Sequence, residues 1–402
     1  MKLSNFIVGT FAILAFSTIA MAQANISKFN SSQVSFHRLE HRQALTIPKV
    51  GDYNVYTADL HTHTIYSDGS VTPAYRVREA WRNGLDIVAI TDHIEYRRTE
   101  REMYQFMVGY IKEEYRGLPK AVNTNIAKTK PDERGILVDL NIGYEMAKKE
   151  GDKYGMLVIR GAEITRGDNH FNILFTKDNN KIYDVDTESS IRNAIKQGAF
   201  VTHNHPTRDK TTATQMTPLA EELHAKKLFN GIEIGNSLWT WDHLFSYCID
   251  NGYAPISGTD VHGTIAEKFH QGGNENVYRD MNLILAKKCD EKSIKEALFA
   301  GRTIAYHNNK LIGKEEYLVE LFKSSVDLMY SCDVDNATMV VLNNKSSFPY
   351  EVKYGKKTAV IHPMGAVQVP LSKGVEDVEF VLLNLFSGKG KHPKVKMAIE
   401  RK

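Results

Sequence analysis

The residues best suited to chemistry are short clusters of histidine and carboxylate. Residues 58–70 read ADLHTHTIYSDGS, with His61 and His63 two apart and Asp68 close behind. Side chains i and i+2 of a strand share a face, so both imidazoles project together from the end of an apolar run. Further along come Thr91-Asp92-His93, Gly161-Ala162-Glu163, His170, His203-Asn204-His205-Pro206 and Asp260-Val261-His262. Almost all of them follow an apolar, strand-like stretch, and His170 opens one. A lone H-x-H pair carries little weight; its recurrence in this setting carries a good deal. Imidazole and carboxylate without thiolate suit zinc, manganese or iron. More than six converging donors oversupply one ion, so a two- or three-metal cluster is the economical inference.

Such donors need strands that end at one place. From residue 53 to 306, strand-like and helix-like segments alternate. Strands are expected at Tyr53–Leu60, Ile87–Thr91, Met156–Ile164, Phe171–Phe175, Ala199–Thr202, Gly231–Ile234 and Ala254–Ser257. A helix is expected to start at Thr72-Pro73, an N-cap followed by proline at the first helical position, and to end at Gly84. Others are expected at Thr187–Gln197, Trp239–Asn251 and 291–300, with a charged, mostly helical excursion over 99–154. This order predicts parallel strands joined by crossover helices, with the donors at the strand carboxyl ends. After residue 310 the pattern changes to short strand candidates at Ala337–Leu342, Ala359–Ile361, Ala366–Val369 and Val378–Leu385. No strong helix competes there, and a small β-sandwich is expected.

Composition bounds the function. The 402 residues are 42% hydrophobic and 25% charged, which fits a globular chain. A net charge of +3 without a basic face argues against strong nucleic-acid binding. Lys2, the apolar stretch 6–20 and Ala20-Met21-Ala22 have the layout of a secretory signal peptide over residues 1–22. An exported, periplasmic or secreted protein without a retained membrane anchor follows. Residues 23–52 read as a polar arm, 53–306 as the barrel and 310–402 as the β-sandwich. Cys248, Cys289 and Cys332 are read as buried and inert.

Taken in order, HTH, SDG, TDH, GAE, a later histidine, HP and DVH resemble the PHP (polymerase and histidinol phosphatase) family of metal-dependent phosphoesterases, over roughly residues 53–306. The resemblance implies a distorted (β/α)7 TIM-like barrel with two or three divalent ions at the strand carboxyl ends. It implies that His61, His63, Glu163 and Asp260 hold one ion. Glu163 bridges to a second, held also by His170 and His205, and Asp68, His93 and His262 hold a third. His205, not His203, precedes the proline, as the motif requires. Adjacent divalent ions lower the pKa of a bound water and neutralise charge on a phosphoryl oxygen. Arg208 is a candidate phosphate clamp, with a surface salt bridge as its alternative. Asp92 is a candidate to orient a histidine, or else holds a turn or helix cap. Glu233 and Asn236 are candidates for hydrogen bonds behind the ligands, and Trp239 and Trp241 for packing or a pocket wall. The expected substrate is a small phosphate ester, with a lean toward diesters. The rival readings are an amidohydrolase-type enzyme, which leaves His93 and His262 without a task, and an inactive surface- or carbohydrate-binding protein.

Overall fold

The computed structural model describes residues 41–95, 139–184, 186–206, 216–237, 239–269 and 278–401. Residues 1–22, read above as a signal peptide, lie outside them. No helix among the described residues is long and apolar enough to cross a membrane.

The first strand, β1 (Asn54–Asp59), leads into the His61 segment, and α1 (Pro73–Arg82) follows. Thr72 caps α1 by accepting the Tyr75 N–H, Pro73 takes the first turn, and Val77 and Ala80 are buried. Next come β2 (Ile87–Ile90), α2 (Ile142–Tyr154), β3 (Leu157–Arg166) and β4 (Asn169–Leu174). Then α3 (Thr187–Lys196), β5 (Phe200–Asn204), α4 (Pro218–Ala225) and β6 (Gly231–Asn236) alternate as expected. β7 (Trp239–Thr240) precedes α5 (His243–Asp250), β8 (Ala254–Gly258) and the short α6 (Ile265–Phe269). β9 (Met281–Ala286), α7 (Glu291–Phe299), β10 (Thr303–His307) and β11 (Lys310–Gly313) close this part.

The fold is mixed α/β with one curled sheet, in the order β11-β10-β9-β1-β2-β3-β4-β5-β6, with β8 also on β6. Not all of it is parallel. β1, β2 and β3 run parallel, as do β5, β6 and β8, but β4 is antiparallel to both β3 and β5. The reason is local: Gly167, at φ +61°, turns β3 straight back into β4 without room for a crossover helix. The expected helix over Trp239–Asn251 starts only at His243, because Trp239 and Thr240 pair back on Asn236 and Gly235 as a hairpin.

The curl draws the end of β1 to the end of β8. His63 N–H donates to Val261 O at 3.1 Å and Asp260 N–H to His61 O at 2.9 Å. Below that contact the Asn282 side chain spans the seam, accepting from Ser257 N–H at 2.9 Å and donating to Ser257 O at 2.7 Å. Arg76 locks the same junction. Its fully buried guanidinium donates to His63 O (3.1 Å), Val261 O (3.1 Å) and Gly263 O (2.7 Å), and pairs with Glu79 at 2.7 Å. Sequence reading passed over this arginine, although a charge between Pro73, Val77 and Ala80 on a buried helical face was a visible signal. Arg76→Met is expected to lower stability by roughly 3–5 kcal/mol, because Glu79 is left as an uncompensated buried charge. Denaturant unfolding checks this; a loss below about 1 kcal/mol would mean the arginine is dispensable.

Beyond residue 313 a helix does form, contrary to expectation: α8 (Glu315–Ser325) buries Leu318, Leu321, Phe322 and Ser325, one stripe at helical spacing. Two antiparallel sheets follow. One joins β12 (Val326–Val334), β13 (Ala337–Asn344) and, after two strands of the other, β16 (Ala366–Ser372). The other contains β14 (Tyr350–Tyr354), β15 (Lys357–Ile361), β17 (Asp377–Leu382) and, after β18 (Leu385–Phe386), β19 (Lys394–Ala398). β19 is an edge strand, which accounts for its lysines. β18 adds to β11, so the curled sheet continues past residue 306. One apolar cluster includes Val77 and Leu283 from the curled sheet's side together with Phe322, Val340, Tyr350 and Phe380. Residues 44–50, read as part of a polar arm, also pack there: Val50 is buried, and Thr46 and Ser347 exchange hydrogen bonds. Of the three cysteines only Cys248 is buried; Cys289 and Cys332 are exposed.

Candidate metal centre

The strand ends bring nine of the sequence-selected side chains together: His61, His63, Asp68, His93, Glu163, His170, His205, Asp260 and His262. Their donor atoms fall into overlapping groups able to hold an ion: His63/Asp68/His93/His262, His61/His63/Glu163, His61/His205/Asp260 and Glu163/His170/His205. Glu163 is the hub. Its Oε1 lies 3.5 Å from His61 Nε2, 3.2 Å from His170 Nδ1 and 3.6 Å from His205 Nε2. Its Oε2 lies 3.4 Å from His63 Nε2 and 2.9 Å from His93 Nδ1. Asp260 Oδ1 stands 3.4 Å from His61 and 3.1 Å from His63. Asp68 Oδ1 stands 3.2 Å from His262 and 3.6 Å from His93.

The β3–β4 hairpin explains the short gap between Glu163 and His170. Thr165 pairs with His170 and Glu163 with Asn172, so alternate residues of both strands face inward together. At β5 the same rule would send His203 and His205 to one side. Instead His205 has φ +25°, which breaks the alternation. His205 turns to Glu163, while His203 packs on Phe171 and Phe229 and burial pushes its pKa down to about 3. The neighbouring Asn204 donates to Glu163 Oε1 at 2.8 Å, a contact that sequence reading did not anticipate.

Asp92 does not orient a histidine. Its carboxylate accepts Thr64 N–H (2.7 Å), the Thr64 hydroxyl (2.7 Å) and the Ser67 hydroxyl (2.9 Å), fixing the turn that carries Asp68. His93 instead sits 2.6 Å from Thr165 Oγ1. Glu233 and Asn236 do make hydrogen bonds behind the cluster: Glu233 lies 2.9 Å from His61 Nδ1 and accepts from Asn236 at 3.0 Å. Trp239 is exposed and Trp241 buried. Arg208 lies outside the described residues.

The electrostatics favour cations. Burial opposes charge on Glu163 and Asp260, yet the surrounding imidazoles hold both carboxyls well below their usual range. Asp68 is likewise held low by His262, His93 and His63 against the effect of burial. His63 stacks between His93 and His262 at 4.4 and 4.3 Å. Burial and those two neighbours push its pKa down to about 3, leaving it neutral with a lone pair to offer. Burial also opposes charge on His93, but Glu163 overrides it and pushes the pKa up to about 9. Three buried imidazole nitrogens, His61 Nε2, His63 Nε2 and His205 Nε2, make no hydrogen bond of good geometry. Buried polar atoms are rarely left so. Three carboxylates in a largely buried pocket also call for compensating positive charge. On both counts the donor set fits divalent ions.

A curled α/β sheet that gathers histidines and carboxylates into overlapping groups able to hold metal ions defines the class. Residues 59–232 match the model of the PHP domain. The fold agrees with a two-domain protein from Bacteroides vulgatus containing a predicted PHP-like metal-dependent phosphoesterase. That protein is 26% identical, with a TM-score of 0.75 over 89% of this chain and 99% of the other. A lesion-specific endonuclease from Pyrococcus furiosus aligns more loosely, at 15% identity and a TM-score of 0.36 over 61% of this chain and 56% of its own. No curated protein sequence matches.

Proposed function

We propose that the protein is a metal-dependent phosphoesterase that hydrolyses small phosphate esters at a two- or three-ion centre, with a lean toward diesters. The observation that carries this reading is the convergence of imidazole nitrogens on Glu163 and Asp260 in a chain whose residues 59–232 match the model of the PHP domain. In this reading His61, His63, Glu163 and Asp260 hold one ion, Glu163, His170 and His205 a second, and Asp68, His93 and His262 a third. Bound divalent ions supply an activated water and neutralise charge on the phosphoryl oxygens. The chain's own part is orientation and access. His61 and His63 side chains are 0% exposed, whereas Asp68, His170 and His262 are 12%, 17% and 34% exposed. Substrate therefore approaches over the Asp68–His262–His170 side. An amidohydrolase-type site leaves His93 and His262 idle, yet both sit within 3.6 Å of Asp68. Assay of protein loaded with Zn(II), Mn(II) or Fe(II) against bis-nitrophenyl and mono-nitrophenyl phosphate tests the proposal. Turnover with a diester preference is expected. A monoester preference would overturn the lean, and cleavage of amides or lactones alone would overturn the class.

A further inference from the structure

Beyond the ligands lies a buried polar line that the reaction as proposed does not use. Thr240 Oγ1 lies 2.7 Å from His307 Nε2, and His307 Nδ1 lies 2.9 Å from Asp280 Oδ1. The other Asp280 oxygen accepts Ser237 N–H at 2.7 Å. Asp280 and His307 are each 1% exposed, and both fall outside residues 59–232. A Thr-His-Asp order invites comparison with a nucleophilic triad. Here the line runs inward through a backbone N–H, which cannot pass a proton on as a hydroxyl or imidazole can, so its work is positional.

Ser237 is where the line meets the metal centre. Its φ of +54° is a conformation that non-glycine residues hold only when their surroundings enforce it. Two bonds enforce it: the N–H to Asp280, and the hydroxyl to Thr259 O at 2.6 Å. Thr259 precedes Asp260, which itself has φ +48°. One residue before Ser237, Asn236 donates to Glu233 Oε2 at 3.0 Å. That carboxylate also accepts His205 N–H at 2.7 Å and meets His61 Nδ1 at 2.9 Å. Residues 233–237 thus reach His61, His205 and Asp260 at once. Close approach makes this possible at two glycines. A Cβ on Gly235 would lie 2.6 Å from His307 Cγ, and one on Gly258 would lie 2.7 Å from His61 Cβ.

We propose that Asp280, His307 and Thr240 are positioning residues that lock the Ser237 turn and, through it, aim His61, His205 and Asp260 at the metal ions. The proposal rests on the metal-site reading above. Its test is calorimetric titration of the full chain with Mn(II), alongside melting of the metal-free protein. Asp280→Asn and His307→Gln are each expected to weaken Mn(II) binding about tenfold or more, the range seen when partners of metal ligands are removed. Combined with Glu233→Gln, Asp280→Asn is expected to weaken binding less than the product of the single effects, because both act on one turn. Should the buried variants fail to fold, Thr240→Val decides: weaker binding supports the proposal and unchanged affinity overturns it. Variants that melt lower but bind Mn(II) within about twofold of wild type would show a packing role only. A wild-type chain that binds no Mn(II) overturns both this proposal and the metal-site reading. Wild-type binding with unaltered variants overturns this proposal alone.

Discussion

Glu163→Gln is expected to lower phosphate-ester hydrolysis by roughly 10³-fold, since Lewis-acid stabilisation is worth several kcal/mol and each 1.4 kcal/mol is tenfold. Glutamine keeps the shape of the side chain and removes its charge. Glu163 lies 2.9–3.6 Å from five imidazoles, those of His61, His63, His93, His170 and His205, so no other single group serves as much of the centre. Elemental analysis of the purified variant should show fewer ions per chain than wild type. Activity within tenfold of wild type at equal metal content would remove Glu163 from the bridging role.

The second large effect is on pH. In the metal-free protein, burial opposes a proton on His93 but Glu163 retains it, with the pKa up to about 9. Burial also opposes charge on His61, and Glu233, Asp260 and Glu163 together raise its pKa well above the ordinary value. A histidine must lose its proton to bind a metal, so protons compete with the ion wherever the metal-free histidine is charged. The sign follows: affinity rises with pH below the raised pKa values and levels off above them. For His93 alone the rise is about tenfold per pH unit between roughly pH 7 and 9. Titrations with Mn(II) across that window, in buffers of different ionisation heat, would count the protons released. An affinity that stays flat from pH 6 to 9 would contradict the assignment.

Much of the site was legible because strand ends and ligand types are local properties. His61 and His63 lie together, with ring centroids 5.2 Å apart, as the two-residue spacing predicts. Helix α1 begins at the Thr72 cap and Pro73, as those residue types dictate. Gly198 and Gly301 follow their helices with φ of +83° and +63°. Helix α8 is less legible because its stripe of Leu318, Leu321 and Phe322 is short and borders strand-forming residues, although the spacing is helical.

By itself the sequence determined which residue types could gather, in what order, and that strands would deliver them. The motif favoured His205 over His203, but only the tertiary structure shows why the two part, because a positive φ at His205 inverts its side chain's face and leaves no mark in composition. The same holds for Asp92, which Thr64 and Ser67 capture, and for Arg76 and the Asp280–His307 pair, which join segments up to 187 residues apart in the chain. Periodicity reports what a residue's neighbours along the chain require. Which buried donor meets which acceptor is settled only when the sheet curls and brings distant strand ends together.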